Sequence, residues 1–242
     1  MPIKRSSLFA LLIILAVLAC ALVPITHQAR QYAQISALKK NGRDVWFSVW
    51  APDYNDRDLE KFPHDYAMPL PEKLLRIGIS LKTAEDYFTY LMSDGTSGNS
   101  IARRRDYQIT PLLNSEMLVA NGMKPAQPGT IITSEANIWH VVCLSINSSD
   151  KVPFLVTRNV RTSDIRYAKS EAEIQKPDNT PRMGFDKNFL PQIGSHIIWT
   201  TRGGVSLSIH EKKLFPARLC PVVQPDNAPI FQILPAAGGY VN

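Results

Sequence analysis

A single apolar run near the amino terminus constrains this chain more than any other feature. Lys4 and Arg5 precede the run, and the next charged residue is Arg30. Residues 8–25 are apolar throughout, with Pro24 as the one interruption. At ~1.5 Å per residue, a helix of this length covers about 27 Å, close to the hydrocarbon thickness of a bilayer. A helix in a soluble core would show regularly spaced polar positions, so this segment is predicted to enter a membrane.

Three interpretations of the run remain open. A cleaved secretory signal fits the charged start and the small residues on either side of Cys20. A lipoprotein signal fits the small Ala19 directly before Cys20, whose thiol would then be acylated. An uncleaved anchor is favoured because small or apolar residues recur at helical spacing beyond Pro24. These residues are Ile25, Ala29, Tyr32, Ala33, Ile35, Ser36 and Leu38.

The rest of the chain is predicted to form one α+β domain over residues 44–242, after a helix over 1–43. The apolar and aromatic residues of 45–50 are expected to pack where the helix meets the domain, and 81–92 has helical spacing. Strands are predicted at 138–146, 152–156, 197–201 and 205–210, the last two joined by a turn at Arg202-Gly203-Gly204. Helices early and strands late favour an antiparallel sheet. The proline-rich residues 221–242 are predicted to form an irregular tail.

Cysteines and histidines provide few candidates for a chemical site. Cys143 and Cys220 would form one disulfide in an exported domain, although Cys143 in a buried strand is equally typical of a core thiol. His196 and His210 are expected to meet across the late hairpin. The five histidines have no metal-ligand spacing, and no nucleophile, base and orienting group can be assembled from the motifs. We therefore expect no enzyme, no metal site and no cofactor.

Several segments of the chain resemble one protein family. Pro24 is followed by residues 29–42 (ARQYAQISALKKNG), and further likenesses occur at 86–92 (DYFTYLM), 152–159 (VPFLVTRN) and 198–207 (IWTTRGGVSL). Together they resemble bacterial type IV pilin-like proteins and, more narrowly, type II secretion pseudopilins. The resemblance implies a long hydrophobic helix followed by a pilin-like α+β domain. It does not extend to the prepilin processing motif of that family, because Pro2 stands at the expected glycine and Ser7 at the expected glutamate.

The expected function is assembly. A single-pass subunit in the inner membrane, with its domain in the periplasm, would pack its helix against other pilin-like subunits, membrane lipid and secretion machinery. Small residues permit close helix approach, and Pro24 marks the end of the run. The predicted packing residues are Ala16, Ala19, Pro24, Ala29, Ala33 and Ala37.

Other function classes are disfavoured or kept as alternatives. With 27 basic and 21 acidic residues the net charge is +6, too mild for a nucleic-acid surface. The basic run Arg103-Arg104-Arg105 is interpreted as a solvated face. The alternative is a periplasmic binding module, anchored by a signal peptide or lipid, with ligand contacts on loops such as 93–105. An exported hydrolase is disfavoured.

Overall fold

The computed structural model of this chain describes the following residues: 5–49, 81–92, 113–144, 148–168, 170–172, 184–210, 223 and 232–240. Within the first range, the side chains of residues 5–11, 19 and 21 are not included.

The amino-terminal part of the described chain is one helix, α1 (Arg5–Val49). It is about 67 Å long at ~1.5 Å per residue. The helix continues past Arg43, where the sequence interpretation ended it, because Val45 and Val49 follow Leu38 at steps that return to one helical face. Pro24 lies inside α1 and removes one N–H from its hydrogen-bond ladder. In the same turn the Thr26 hydroxyl donates to the Val23 carbonyl at 2.9 Å.

Five strands form one antiparallel sheet. They are β1 (Trp139–Cys143), β2 (Pro153–Thr157), β3 (His196–Thr201), β4 (Ser206–His210) and β5 (Gln232–Leu234). Their order across the sheet is β4-β3-β2-β1-β5, and every neighbouring pair is antiparallel. The four predicted strands are confirmed to within a few residues at each end. The α+β class is also confirmed, since a long helix precedes an antiparallel sheet.

The second helix, α2 (Ala84–Met92), begins at a side-chain cap. The Thr83 hydroxyl accepts a hydrogen bond from the Asp86 N–H at 3.2 Å, and the Asp86 carboxylate accepts one from the Thr83 N–H at 3.0 Å. This reciprocal pairing satisfies two N–H groups that have no partner within the helix. It explains why α2 starts after the first residues of the predicted segment 81–92.

The prediction of an irregular tail over 221–242 is wrong where β5 forms. Cys143 in β1 pairs with Gln232, and Val141 pairs with Leu234, so β5 extends the sheet beyond β1. The strand is only three residues long and ends just before Pro235, so it carries no alternation that a sequence pattern could detect. The carboxyl-terminal segment is therefore part of the sheet.

The hydrophobic core lies where the second half of α1 and the helix α2 meet the sheet. Helix α1 packs against β3 and β4, and α2 against β1. The largest fully buried side chains include Trp139, Tyr87, Phe88, Phe154 and Leu38. Val45 and Val49 are buried and Trp46 packs against this core, which confirms the packing predicted for these residues of 45–50, whereas Phe47 is exposed. Trp50 lies outside the described residues.

Candidate assembly helix and its contacts with the sheet

The first half of α1 exposes its apolar side chains. Nine large ones are half to two-thirds exposed: Leu12, Ile13, Ile14, Leu15, Val17, Leu18, Leu22, Val23 and Ile25. Among the described residues, α1 contains the one segment that is long and apolar enough to cross a membrane. Large contiguous apolar surfaces are rare on soluble monomers and mark contact with lipid or with other proteins.

The predicted packing residues lie on the exposed side of α1. Ala16, Pro24, Ala29, Ala33 and Ala37 are all exposed. The last three follow each other at four-residue steps and form one stripe, which points away from the buried stripe of the same helix. The sequence also predicts roles for Ala19, whose backbone alone is described, and for Cys20, which is exposed.

The second half of α1 approaches the sheet most closely at Gly42. A methyl group built at this position would overlap the Thr200 hydroxyl oxygen of β3 and lie 3.4 Å from the Trp139 ring of β1. Only a residue without a side chain allows this separation between helix and strand. Ile35, Leu38 and Val45 are buried on the same side of the helix.

Near its carboxyl end, α1 is bound to the β3–β4 turn. The Trp46 indole N–H donates to the Arg202 carbonyl, and the indole ring covers Gly204, whose φ is +78°. The Arg202 guanidinium forms an ion pair with Asp150, and its backbone N–H donates to the Val152 carbonyl at 2.7 Å. One glycine-containing turn thus links the helix to the turn before β2.

At the other end of the contact, α1 meets a histidine pair. His196 and His210 are direct partners across β3 and β4, with ring centroids 4.8 Å apart, as predicted from the sequence. The Tyr32 ring of α1 lies 6.3 Å from the His196 ring in an edge-on arrangement. Partial burial and the nearby His210 lower the pKa of His196, while a hydrogen bond to the Ile193 carbonyl opposes the shift. The lowered pKa favours the neutral form of His196 at its position beside the helix.

A buried polar cluster holds the carboxyl-terminal segment on the sheet, and sequence reasoning missed it. The two carboxylate oxygens of Glu85 accept hydrogen bonds from the Asn137 amide and from the Ala237 N–H, each at 2.9 Å. Glu85 is 4% exposed and Asn137 is fully buried. Close by, the Arg158 guanidinium donates to the carbonyls of Ser134, Asn137 and Phe189 at distances of 2.6–3.1 Å.

His140 completes this cluster from the middle of β1. Its Nδ1 accepts a hydrogen bond from the Ala236 N–H at 2.9 Å, so the ring proton belongs on Nε2, which lies 3.2 Å from the Val160 carbonyl. Burial lowers the pKa of His140 to about 4, with a further contribution from the Arg158 charge. Both ring nitrogens are satisfied only in the neutral form. The one visible signal in the sequence was a histidine within an apolar strand.

The remaining candidates from the sequence have these outcomes. Cys143 is buried in β1, where burial raises the pKa of its thiol to about 12. Its predicted partner Cys220 lies outside the described residues, so the disulfide stays a prediction. Loop 93–105, with Arg103-Arg104-Arg105, also lies outside them. No three His, Cys, Asp or Glu side chains of the described residues converge as metal ligands.

Comparisons with protein-family models, with curated proteins and with solved structures find no match to this chain.

Proposed function

We propose that this protein is a single-pass membrane subunit that assembles through α1 into a pseudopilin-like filament or secretion complex. Its sheet domain would lie in the periplasm, and other pilin-like subunits would be its partners. One observation carries the proposal. A single continuous helix exposes an apolar first half, while its second half is held tightly against an antiparallel sheet.

The two halves of α1 suit two different tasks. The exposed apolar side chains of residues 12–25 need lipid or other helices around them, because contact between apolar surface and water is unfavourable. The stripe of Ala29, Ala33 and Ala37 allows another helix to approach its backbone closely. Since Gly42 and Trp46 hold the other face on the sheet, the stripe stays available for such contacts.

Membrane insertion is tested first, on the full chain expressed in bacterial cells. After carbonate extraction of the membrane fraction, the intact mass and the amino-terminal sequence of the protein are determined. A chain that stays in the pellet and begins at Met1 or Pro2 supports the uncleaved anchor. A start near Cys20 with an added lipid mass, or at Leu22, would remove most of the apolar helix and favour the periplasmic binding module.

Assembly is tested by photo-crosslinking along α1 in intact cells. Benzoylphenylalanine replaces Ala33 in the small-residue stripe, and Gln28 on a different, equally exposed side of the helix serves as the matched control. We expect crosslinks from position 33 to a second copy or to another protein with a single apolar helix, and far fewer from position 28. Equal crosslinking from both positions, or crosslinks to lipid alone, would contradict assembly through the stripe.

A further inference from the structure

The contacts along α1 define which end of the sheet domain lies next to the membrane. Gln31 contacts Gly194, Tyr32 contacts His196, and the Gln34 side chain accepts a hydrogen bond from the Asn121 N–H at 3.0 Å. Trp46, near the other end of the helix, contacts the β3–β4 turn. The end of the sheet where β3 begins is therefore the end closest to the apolar half of α1.

A turn at residues 120–124 lies at this end. Near Glu116 the chain is level with Asn41, whose amide donates to the Glu116 carbonyl at 3.3 Å. Five residues later Asn121 is level with Gln34, about 10 Å further towards the apolar half at ~1.5 Å per helical residue. The chain reverses at Gly122, where φ is +88°. The turn at 120–124 is thus one of the parts of the domain that lie close to the apolar half of α1.

The distance from this turn to the bilayer is short. Gln34, which is level with Asn121, lies nine residues beyond Ile25, or about 13.5 Å along the helix axis. The headgroup region adds roughly 5–8 Å to each side of the hydrocarbon core. A lysine side chain reaches several ångströms further and places its ammonium group at the membrane surface. The turn at 120–124 is therefore within reach of lipid headgroups.

The charged residues described at the turn 120–124 and next to it at this end of α1 are basic. Lys124 is exposed in the turn, and Arg30 and Tyr32 are exposed on α1 below it. Basic residues just outside an apolar helix attract anionic headgroups, and tyrosine is enriched at this depth. Glu135 precedes β1 and Lys187 precedes β3 at the same end of the sheet, and these two exposed residues carry opposite charges.

We propose that Arg30, Tyr32 and the turn 120–124 with Lys124 form a docking surface for anionic lipid headgroups. The surface rests on the membrane-spanning helix of the proposed function. Docking would fix the height and orientation of the domain on the leaflet from which α1 emerges. It would thereby also fix the direction, parallel to the membrane, in which the small-residue stripe faces.

The test uses the full chain in lipid nanodiscs, either zwitterionic or with about a third of anionic phosphatidylglycerol. Hydrogen exchange of the amides in 120–124 is followed by mass spectrometry. Lys124→Glu is compared with Lys151→Glu, an equally exposed lysine in the turn near Asp150, at the opposite end of the sheet. We expect anionic lipid to slow exchange in 120–124 at least threefold in the parent chain and in Lys151→Glu, but not in Lys124→Glu.

The outcomes separate docking from membrane insertion. A chain that stays in the discs after carbonate treatment, yet exchanges equally fast in both lipids, overturns the docking surface alone. Equal protection in the two variants overturns it as well. A chain that carbonate releases from the discs overturns the membrane-spanning helix and the docking surface together.

Discussion

The neutral His140 ring predicts that the fold loses stability in mild acid. Burial holds its pKa at about 4, below the ordinary value of 6.5. Between these values the unfolded chain binds a proton at this ring and the native chain does not. Stability is therefore fully present above pH 6.5 and declines as the pH falls towards 4. From this difference, His140 alone removes about 2.5 kcal/mol from the free energy of unfolding between pH 7.5 and pH 4.5.

The structural reason is the Ala236 contact. Protonated His140 carries a hydrogen on Nδ1, which then faces the Ala236 N–H at 2.9 Å as a second donor. The hydrogen bond is lost, and a charged ring is left in a fully buried position near Arg158. We therefore expect the segment around Ala236 to separate from β1 before the rest of the sheet unfolds.

The assay is urea unfolding of the full chain in detergent micelles, followed by tryptophan fluorescence from pH 7.5 to 4.5. His140→Gln removes the titrating ring but keeps an amide that can donate towards Val160. The variant is expected to lose about 2.5 kcal/mol less than the parent chain over this pH range, whatever its stability at pH 7.5. His196→Gln, at a half-buried histidine, is the matched control and should change the pH dependence much less. If His140→Gln and the parent chain lose stability equally, the reasoning is refuted.

Three further predictions concern the packing of the domain. Gly42→Val should lower the free energy of unfolding by about 2–3 kcal/mol, because the valine side chain would overlap Thr200. The control Ala37→Val, on the exposed face of α1, should change it by less than about 0.5 kcal/mol. Equal effects of the two variants in urea unfolding would contradict the close approach of α1 to β3. Glu85→Ala should lower the free energy of unfolding by about 2–4 kcal/mol, since the buried Asn137 amide and the half-buried Ala237 N–H each lose an acceptor, and Glu85→Gln should recover part of this. Alkylation at pH 8 should leave Cys143 unmodified until the protein unfolds, and rapid modification of the native protein, read by peptide mass, would show that the thiol is accessible.

The sequence predicts the parts of this fold whose signals are local. β1, β2 and the middle of β3 are short, mainly apolar runs, and β4 alternates serine with Leu207 and Ile209. Gly203 and Gly204 mark the turn between the last two strands. The spacing of small and apolar residues predicts that α1 continues beyond Pro24, but not which side is buried: Ile25, Ala29, Tyr32, Ala33 and Ser36 of that pattern are exposed, and only Ile35 and Leu38 are buried. His196 and His210 could be paired because a short hairpin fixes which residues face each other.

The contacts that were not predicted join distant parts of the chain. Glu85 binds Asn137 and Ala237, and His140 binds Ala236. No periodicity or motif links such positions, because their pairing depends on the order of strands in the sheet. β5 was missed for the same reason, since its three residues form a strand only when β1 is beside them.

The position of β5 has a consequence for how the protein is made. The last described segment pairs with β1, and its Ala236 and Ala237 N–H groups donate hydrogen bonds to His140 and Glu85. Until the ribosome has added residues 232–240, the edge of β1 and these polar side chains stay exposed to solvent and proteases. Because contacts between distant residues form slowly, the sheet closes only after synthesis has passed this segment.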